Sequence, residues 1–546
     1  MIEPILSVRD LFVDFGAGKQ ANPAVGGIDF DVMPGEILAL VGESGSGKSV
    51  TAMSILGLLP KNATRTGSIR FEGRNLVDLS EKELHAVRGQ GISMVFQDPV
   101  AALNPVLAIG FQLSEAVKKN DPTLSRADVN AKCVELLTMV EISDPGSRLR
   151  YYPHQLSGGQ CQRIVIAMAL AGEPRLLIAD EPTTALDVTV QAEVLDVLRR
   201  LHDKLGTSIL IITHDMGVVA DLADRVVIMR GGKIVETNDV QGLFSNPKAA
   251  YTQELLAAVP RFGEKTESSI VPQGTLVLDV RDLVVEYGSR LSNRFRAVDG
   301  VSLQVFSGEI VALVGESGSG KTTIGRCALG LAPITAGTIT VAGAQLGHVT
   351  RAELTEMRKR VGFVFQNPAA SVDPRHTIGD IVGEPLRALG GLRGPALRNR
   401  VQNLLKSVDL PGNWSDRYPH EVSGGQLQRV AISRAVALDP QLLIADEPTS
   451  ALDVSVQAKV LDLFRELQKR LGFGCLFISH NLAVVDNLCD RIAVMSKGTL
   501  VEQGERQKVF RSPEHPYTRR LIDSCPVPNP DEQRLRREAR LTTSAA

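Results

Sequence analysis

Apolar and polar residues alternate over Leu6–Phe15 (LSVRDLFVDF) and over Ile28–Val32 (IDFDV), the period of strands with one buried face. Other runs are different in kind. ILALVG (Ile37–Gly42), LLIAD (Leu176–Asp180) and SILIIT (Ser208–Thr213) are apolar at almost every position, as strands covered on both faces are. A helix-forming stretch follows each of them. The pattern predicts an α/β fold with a parallel sheet, crossover helices and an early antiparallel β layer. A more helical insert is expected between Pro99 and Pro153, and again between Pro368 and Pro419.

The same order of elements is written twice. LLIADEPTTALDVTVQA (Leu176–Ala192) and LLIADEPTSALDVSVQA (Leu442–Ala458) agree at 15 of 17 positions, 266 residues apart. GESGSGKS begins at Gly42 and GESGSGKT at Gly315; YPHQLSGGQCQR begins at Tyr152 and YPHEVSGGQLQR at Tyr418. FSNPKAAYT (Phe244–Thr252) and FRSPEHPYT (Phe510–Thr518) extend the match to the far end of each copy. A structural repeat needs only its apolar positions to agree. Here the polar ones agree too, which points to chemistry done in duplicate. Two homologous domains are expected, at 1–260 and 275–526, joined by a polar linker at 261–274. Residues 527–546 (NPDEQRLRREARLTTSAA after Val527 and Pro528) are charged and poor in large apolar groups, so a flexible tail with at most one short helix is expected.

Composition narrows the class. The 546 residues are 43% apolar and 22% charged, enough for sizeable cores, and a formal net charge of -2 gives no bulk case for nucleic-acid binding. MIEPILSVRDLF lacks a basic leader and apolar stretch, so no signal peptide is expected, and no apolar run is long enough to span a bilayer. Six cysteines are scattered without CxxC spacing, which fits a reducing compartment and argues against a zinc or iron–sulfur site.

The Gly-rich segments match G-x-x-x-x-G-K-[ST] between an apolar strand and a helix. Gly42, Ser44, Gly45 and Gly47, and Gly315, Ser317, Gly318 and Gly320 in the second copy, would turn backbone N–H groups around phosphate oxygens at a helix N-terminus. Lys48 and Lys321 would neutralise the β- and γ-phosphates, and Ser49 and Thr322 would bind Mg2+. Asp180 and Asp446 end apolar strands and point to the Mg2+ shell. The adjacent Glu181 and Glu447 are candidates to orient or deprotonate the attacking water. His214 and His480 each lie 33 residues beyond that glutamate, and are candidates to bond the γ-phosphate and water.

Ser157, Gly158, Gly159 and Gln160, with Ser423, Gly424, Gly425 and Gln426, form a second phosphate-seeking element before a helical run. Each P-loop already surrounds its own nucleotide, so the second element needs a different phosphate. The expectation is two composite sites, with the SGGQ of each copy capping the triphosphate of the other.

These residues together resemble the ATP-binding-cassette ATPases over nearly all of both halves: the P-loop, Gln97 and Gln366 of the Q-loop, LSGGQ and VSGGQ, the Asp-Glu pair, ALD (Ala185–Asp187, Ala451–Asp453) and the switch histidine. The resemblance implies two tandem P-loop ATPase cassettes, each with a RecA-like parallel-sheet core, an antiparallel β layer and a helical subdomain. It implies ATP and Mg2+ as ligands, with Gln97 and Gln366 adding to the metal shell. It also casts Phe15 and Tyr287 as adenine-stacking aromatics, against the alternative of core aromatics. VFQDPVAALNPVLAIG, VFQNPAASVDPRHTIG and HPYTRRLI (His515–Ile522) narrow the resemblance to ATPases of dipeptide, oligopeptide and nickel importers. That implies two transmembrane permease subunits, an extracytoplasmic binding protein and a peripheral position on the cytoplasmic face of the cell membrane. Nickel, glutathione or other peptide-like cargo stay open. A soluble tandem cassette acting in translation is the remaining alternative, disfavoured by the short linker and acidic balance.

Overall fold

The computed structural model describes residues 3–16, 23–184, 186–263, 274–288, 294–450 and 452–545. Contacts divide the chain into two compact units: Met1–Leu186, Val190–Val259 and Pro526–Ala546 form the first, and Asp187–Thr189 with Pro260–Cys525 form the second.

In the first unit the alternating segments pair as an antiparallel sheet in the order Val25–Val32, Leu6–Phe15, Ala63–Phe71, Arg74–Asn75. A six-stranded sheet follows the order Lys233–Asp239, Arg225–Arg230, Ile37–Gly42, Ser208–Thr213, Leu176–Asp180, Ile92–Val95. Its strands are parallel except for the hairpin partner Lys233–Asp239. The central strand shows why its sequence is apolar throughout. Leu38 and Leu40 join a core with Leu6, Val8 and Ile69 of the antiparallel layer, while Ile37, Ala39 and Val41 join a core with the helices on the other face. The helical insert contains Ile109–Asn120 and Arg126–Met139, and packs against Gly158–Leu170.

The second unit repeats this plan. Its antiparallel sheet runs Phe295–Phe306, Leu276–Tyr287, Ala336–Val341, Ala344–Gln345. Its larger sheet runs Val361–Val364, Leu442–Asp446, Gly474–Ile478, Ile310–Val314, Arg491–Ser496, Thr499–Glu505. Val311 and Leu313 face one core, and Ile310, Ala312 and Val314 the other. No helix among the described residues is long and apolar enough to cross a membrane.

Two boundaries differ from the sequence-based expectation. Residues 264–273 of the expected linker lie outside the described residues. The part before them is packed: the Gly263 N–H donates to Asp486 Oδ2 (2.6 Å), and the Phe262 ring meets Phe510 edge-on at 4.7 Å. The expected flexible tail is instead a helix, Pro530–Ala545, belonging to the first unit. Its arginines fasten it there. Arg537 reaches Asp221 Oδ1 at 3.1 Å and Arg540 reaches Asp196 Oδ2 at 2.9 Å, with Arg199 on the same two aspartates. The side chain of Asp221 is only 1% exposed, so these cations compensate a carboxylate taken from water.

Candidate functional site

Each P-loop starts where an apolar strand ends. Gly47 caps the helix Lys48–Leu56 at φ 98°, and Gly320 caps Lys321–Ala328 at φ 102°. A Cβ at either glycine would also lie 2.6 or 2.5 Å from the carbonyl oxygen of Ala24 or Ala297, so a side chain is refused on two grounds. Gly45 and Gly318 turn with φ 77° and 79° beside open space. These turns hold the lysines inward. Lys48 Nζ donates to the carbonyls of Gly42 (2.7 Å) and Glu43 (2.9 Å), and Lys321 Nζ to those of Gly315 (2.8 Å) and Glu316 (2.7 Å). Both lysines are buried, and burial lowers the Lys321 ammonium below its ordinary value despite the carboxylates around it. In the second unit, which includes residues 187–189, Asp187 Oδ2 accepts the N–H of Ser317 at 3.2 Å. A loop amide there already receives an anionic oxygen.

The Ser49 hydroxyl donates to Asp180 Oδ1 at 3.2 Å, and the Thr322 hydroxyl to Asp446 Oδ1 at 3.1 Å. Burial pushes both aspartate carboxyls up, and their hydroxyl bonds only partly offset it. A divalent cation would remove that penalty. The hydroxyl and carboxylate donors are hard oxygens, which suit Mg2+.

The neighbouring glutamates are tuned the other way. Burial alone would raise Glu181, but the His214 hydrogen bond and charge, with Thr184 and Lys48, bring its carboxyl down to about 2. Glu447 is lowered in the same manner by His480, Lys321 and Gln366. Adjacent carboxyls with opposite shifts are a means of giving two acids separate tasks. Glu181 Oε1 lies 3.2 Å from His214 Nδ1, while its Oε2 accepts from Gln97 Nε2 and Thr184 Oγ1, both at 2.8 Å. Glu447 Oε1 lies 3.0 Å from His480 Nδ1, and its Oε2 accepts from Gln366 Nε2 at 2.7 Å. A carboxylate only accepts, so Nδ1 of each ring carries the proton. Both glutamates sit at positive φ, 47° and 46°, a region that costs an L-residue about 1–2 kcal/mol.

In each unit, therefore, the P-loop lysine, the Ser/Thr–Asp pair, the glutamate, the histidine and the Q-loop glutamine form one connected group. The SGGQ residues lie on another element. Ser157 caps Gly158–Leu170: its Oγ accepts the Gln160 N–H (3.3 Å) while Gln160 Oε1 accepts the Ser157 N–H (3.1 Å). Ser423 and Gln426 repeat this box. The paired glycines are not equivalent. A Cβ at Gly159 would lie 2.1 Å from Val190 Cγ1, and one at Gly425 2.2 Å from Val456 Cγ1. Gly158 and Gly424 have room. The second glycine thus serves packing, a role invisible in the motif itself. Phe15 and Tyr287 end their strands at 40% and 39% exposure, which places both rings outside the core. Of the ALD segments, Ala185 and Ala451 lie outside the described residues.

Sequence reasoning passed over several groups. Thr184 is one. Asp215 and Asn481, each following the histidine, cap the next helix by accepting two backbone N–H groups. "HD" and "HN" before an apolar helical run carried that capping signal.

The chain matches the family model for the ABC transporter at residues 25–184 and 298–450. It also matches the model for the oligopeptide/dipeptide transporter, C-terminal region, at residues 235–284 and 501–545. The oligopeptide transport ATP-binding protein OppD of Mycobacterium tuberculosis is 40% identical over 609 aligned positions, covering 97% of this chain and 99% of that protein. The glutathione import ATP-binding protein GsiA of Salmonella typhimurium is 42% identical, covering 98% of this chain and 91% of its own length. The peptidoglycan transport ATP-binding protein YejF of Agrobacterium fabrum is 46% identical, covering 95% and 96%.

Proposed function

The chain belongs to the ABC transporter family, and from that premise we propose that it is the ATP-hydrolysing subunit of an importer of di- or oligopeptides. One observation supports this best: both units hold the same connected group of lysine, hydroxyl–carboxylate pair, glutamate, histidine and glutamine, at matching distances. Neither copy has lost a member. Peptide cargo is favoured because the C-terminal model of oligopeptide and dipeptide transporters matches both halves. Glutathione is the second reading, supported by the relative that imports it.

In this reading the P-loop amides and Lys48 or Lys321 hold the triphosphate, and Phe15 or Tyr287 stacks on its base. Ser49 with Asp180, and Thr322 with Asp446, would hold Mg2+, joined by Gln97 and Gln366. Bound there, the cation neutralises charge on the phosphate oxygens. Glu181 and Glu447 orient the attacking water by accepting its hydrogen bond. Hydrogen bonds from Gln97 and His214 to opposite oxygens hold the Glu181 carboxylate in one orientation, which suits it to orient or deprotonate that water. His214 and His480 position these carboxylates through Nδ1. The partners are two transmembrane permease subunits, fed by an extracytoplasmic binding protein, with this chain at the cytoplasmic face.

The test is reconstitution of the chain with two permease subunits and a binding protein in vesicles. Dipeptides or oligopeptides should stimulate ATP turnover and be taken up. Stimulation by glutathione alone would move the cargo to the second reading, and sedimentation with ribosomes instead of membranes would overturn transport.

A further inference from the structure

HPYTRRLI marks the oligopeptide-type C-terminal region, yet nothing above gives it a task. In the second unit it forms the helix Pro516–Asp523, whose start is anchored by side chains. The Glu502 carboxylate accepts the N–H groups of Glu514 (2.9 Å) and His515 (3.1 Å), and His515 Nδ1 accepts that of Tyr517 (3.1 Å). This places the buried Tyr517 against the P-loop, where its hydroxyl oxygen accepts the Glu316 N–H at 3.0 Å. The carbonyl of the same Glu316 accepts from Lys321 Nζ at 2.7 Å. One residue thus carries the tyrosine on its amide and the phosphate-binding lysine on its carbonyl. Arg520 closes the arrangement, lying 5.6 Å from the Tyr517 ring centre and 3.4 Å from Glu316 Oε1.

The first unit keeps the anchor but surrounds its ring differently. Glu236 accepts from Lys248 (3.0 Å) and Ala249 (2.9 Å), as Glu502 does in the second unit. There Arg230 lies over the Tyr251 ring at 4.5 Å, while the second unit has Ser496 at the matching position.

We propose that Tyr517 is a positioning residue for the second nucleotide site: by holding the Glu316 amide it fixes the P-loop turn that presents Lys321, and so sets that site's affinity for ATP. The proposal rests on the second P-loop binding nucleotide. Burial pushes the Tyr517 phenol up to about 12, so it stays a neutral acceptor at any working pH.

Tyr517→Phe keeps the ring and removes only the oxygen. In the full chain, photolabelling with azido-ATP, resolved into halves by proteolysis, gives each site's half-saturating concentration. The expected result is a rise of about 3–10-fold at the second half alone, the worth of one hydrogen bond, with KM raised and kcat nearly unchanged. Tyr251→Phe should leave the second half's value where it is. Trp414, the single tryptophan, lies in the second unit and reports its folding in the same samples. Native fluorescence with unchanged affinity, or equal weakening in both halves, would overturn the proposal. So would loss of the native Trp414 signal, since the hydroxyl would then be structural. Failure of the wild-type second half to label would instead remove the nucleotide site on which it rests.

Discussion

Gln97 donates from Nε2 to Oε2 of Glu181 across 2.8 Å, and Gln366 repeats the bond to Glu447 at 2.7 Å. The glutamine and histidine hold opposite oxygens of one carboxylate, so the group has little freedom to turn. Displacing either glutamine would therefore disturb the carboxylate proposed to orient water.

Replacing Glu181 and Glu447 by Gln keeps size but removes the charge proposed to act on water. The double variant should lose about 10²–10⁴-fold in turnover, the usual range for a positioned acid–base group. Each single variant should also be impaired. Nucleotide binding should persist, because the lysines and the Ser/Thr–Asp pairs are untouched. Steady-state ATPase rates with equilibrium ATP binding give the answer, and wild-type turnover in either single variant would refute two working sites.

The shift at Glu181 predicts a pH dependence. Its carboxyl moves from 4.5 to about 2 on folding. A depressed acid contributes stability that is complete above its unfolded value and lost as pH falls through its folded one. Relative to Glu181→Gln, the wild-type protein should therefore lose stability between about pH 4.5 and pH 2. Hydrogen exchange of peptides spanning 176–215, in both proteins across that window, reads the difference; parallel curves would contradict it.

Gly159→Ala forces a methyl to within 2.1 Å of Val190 Cγ1. Overpacking of this kind costs about 1–3 kcal/mol. Val190→Ala in the same chain should recover most of it, and Gly425→Ala with Val456→Ala should behave alike. At Gly158 the nearest atom is 3.8 Å away, so alanine there should stay within about 0.5 kcal/mol. Urea unfolding of these variants distinguishes the two glycines of the motif.

Arg537→Ala withdraws one of the cations beside Asp221, leaving Arg199 at 3.3 Å. Loss of a hydrogen bond to a charged group should cost the first unit about 1.5–3 kcal/mol. Arg540→Ala should do the same through Asp196. Truncation after Cys525 should exceed either, and faster exchange of amides in Met216–Leu222 is the readout.

Much of this was legible in the chain. LLIAD and SILIIT announced doubly covered strands because every side chain had to be apolar, and the Gly-Lys-Ser/Thr turns carried their own backbone logic. The links that escaped are those whose two ends lie far apart in sequence. Nothing local in PDEQRLRREARLTTSA says that two of its arginines meet aspartates more than 300 residues earlier. The packing of Gly159 against Val190 was hidden too, because Val190 is remote from it in the chain. Tyr517 sat in a segment known only as a marker, and its bond to Glu316 spans 201 positions. Glu181 at positive φ was equally hidden, since a glutamate is not the residue that such a backbone normally selects.

The return of the final helix to the first unit has a consequence for how the molecule is made. A ribosome releases the first cassette's residues long before it reaches Pro526, and must translate the entire second cassette before the last piece of the earlier one exists. The first-made half thus waits, with Asp196 and Asp221 lacking two of their eventual cations, until that helix is made. The amino-terminal half is in this way completed only after the carboxy-terminal half has been built.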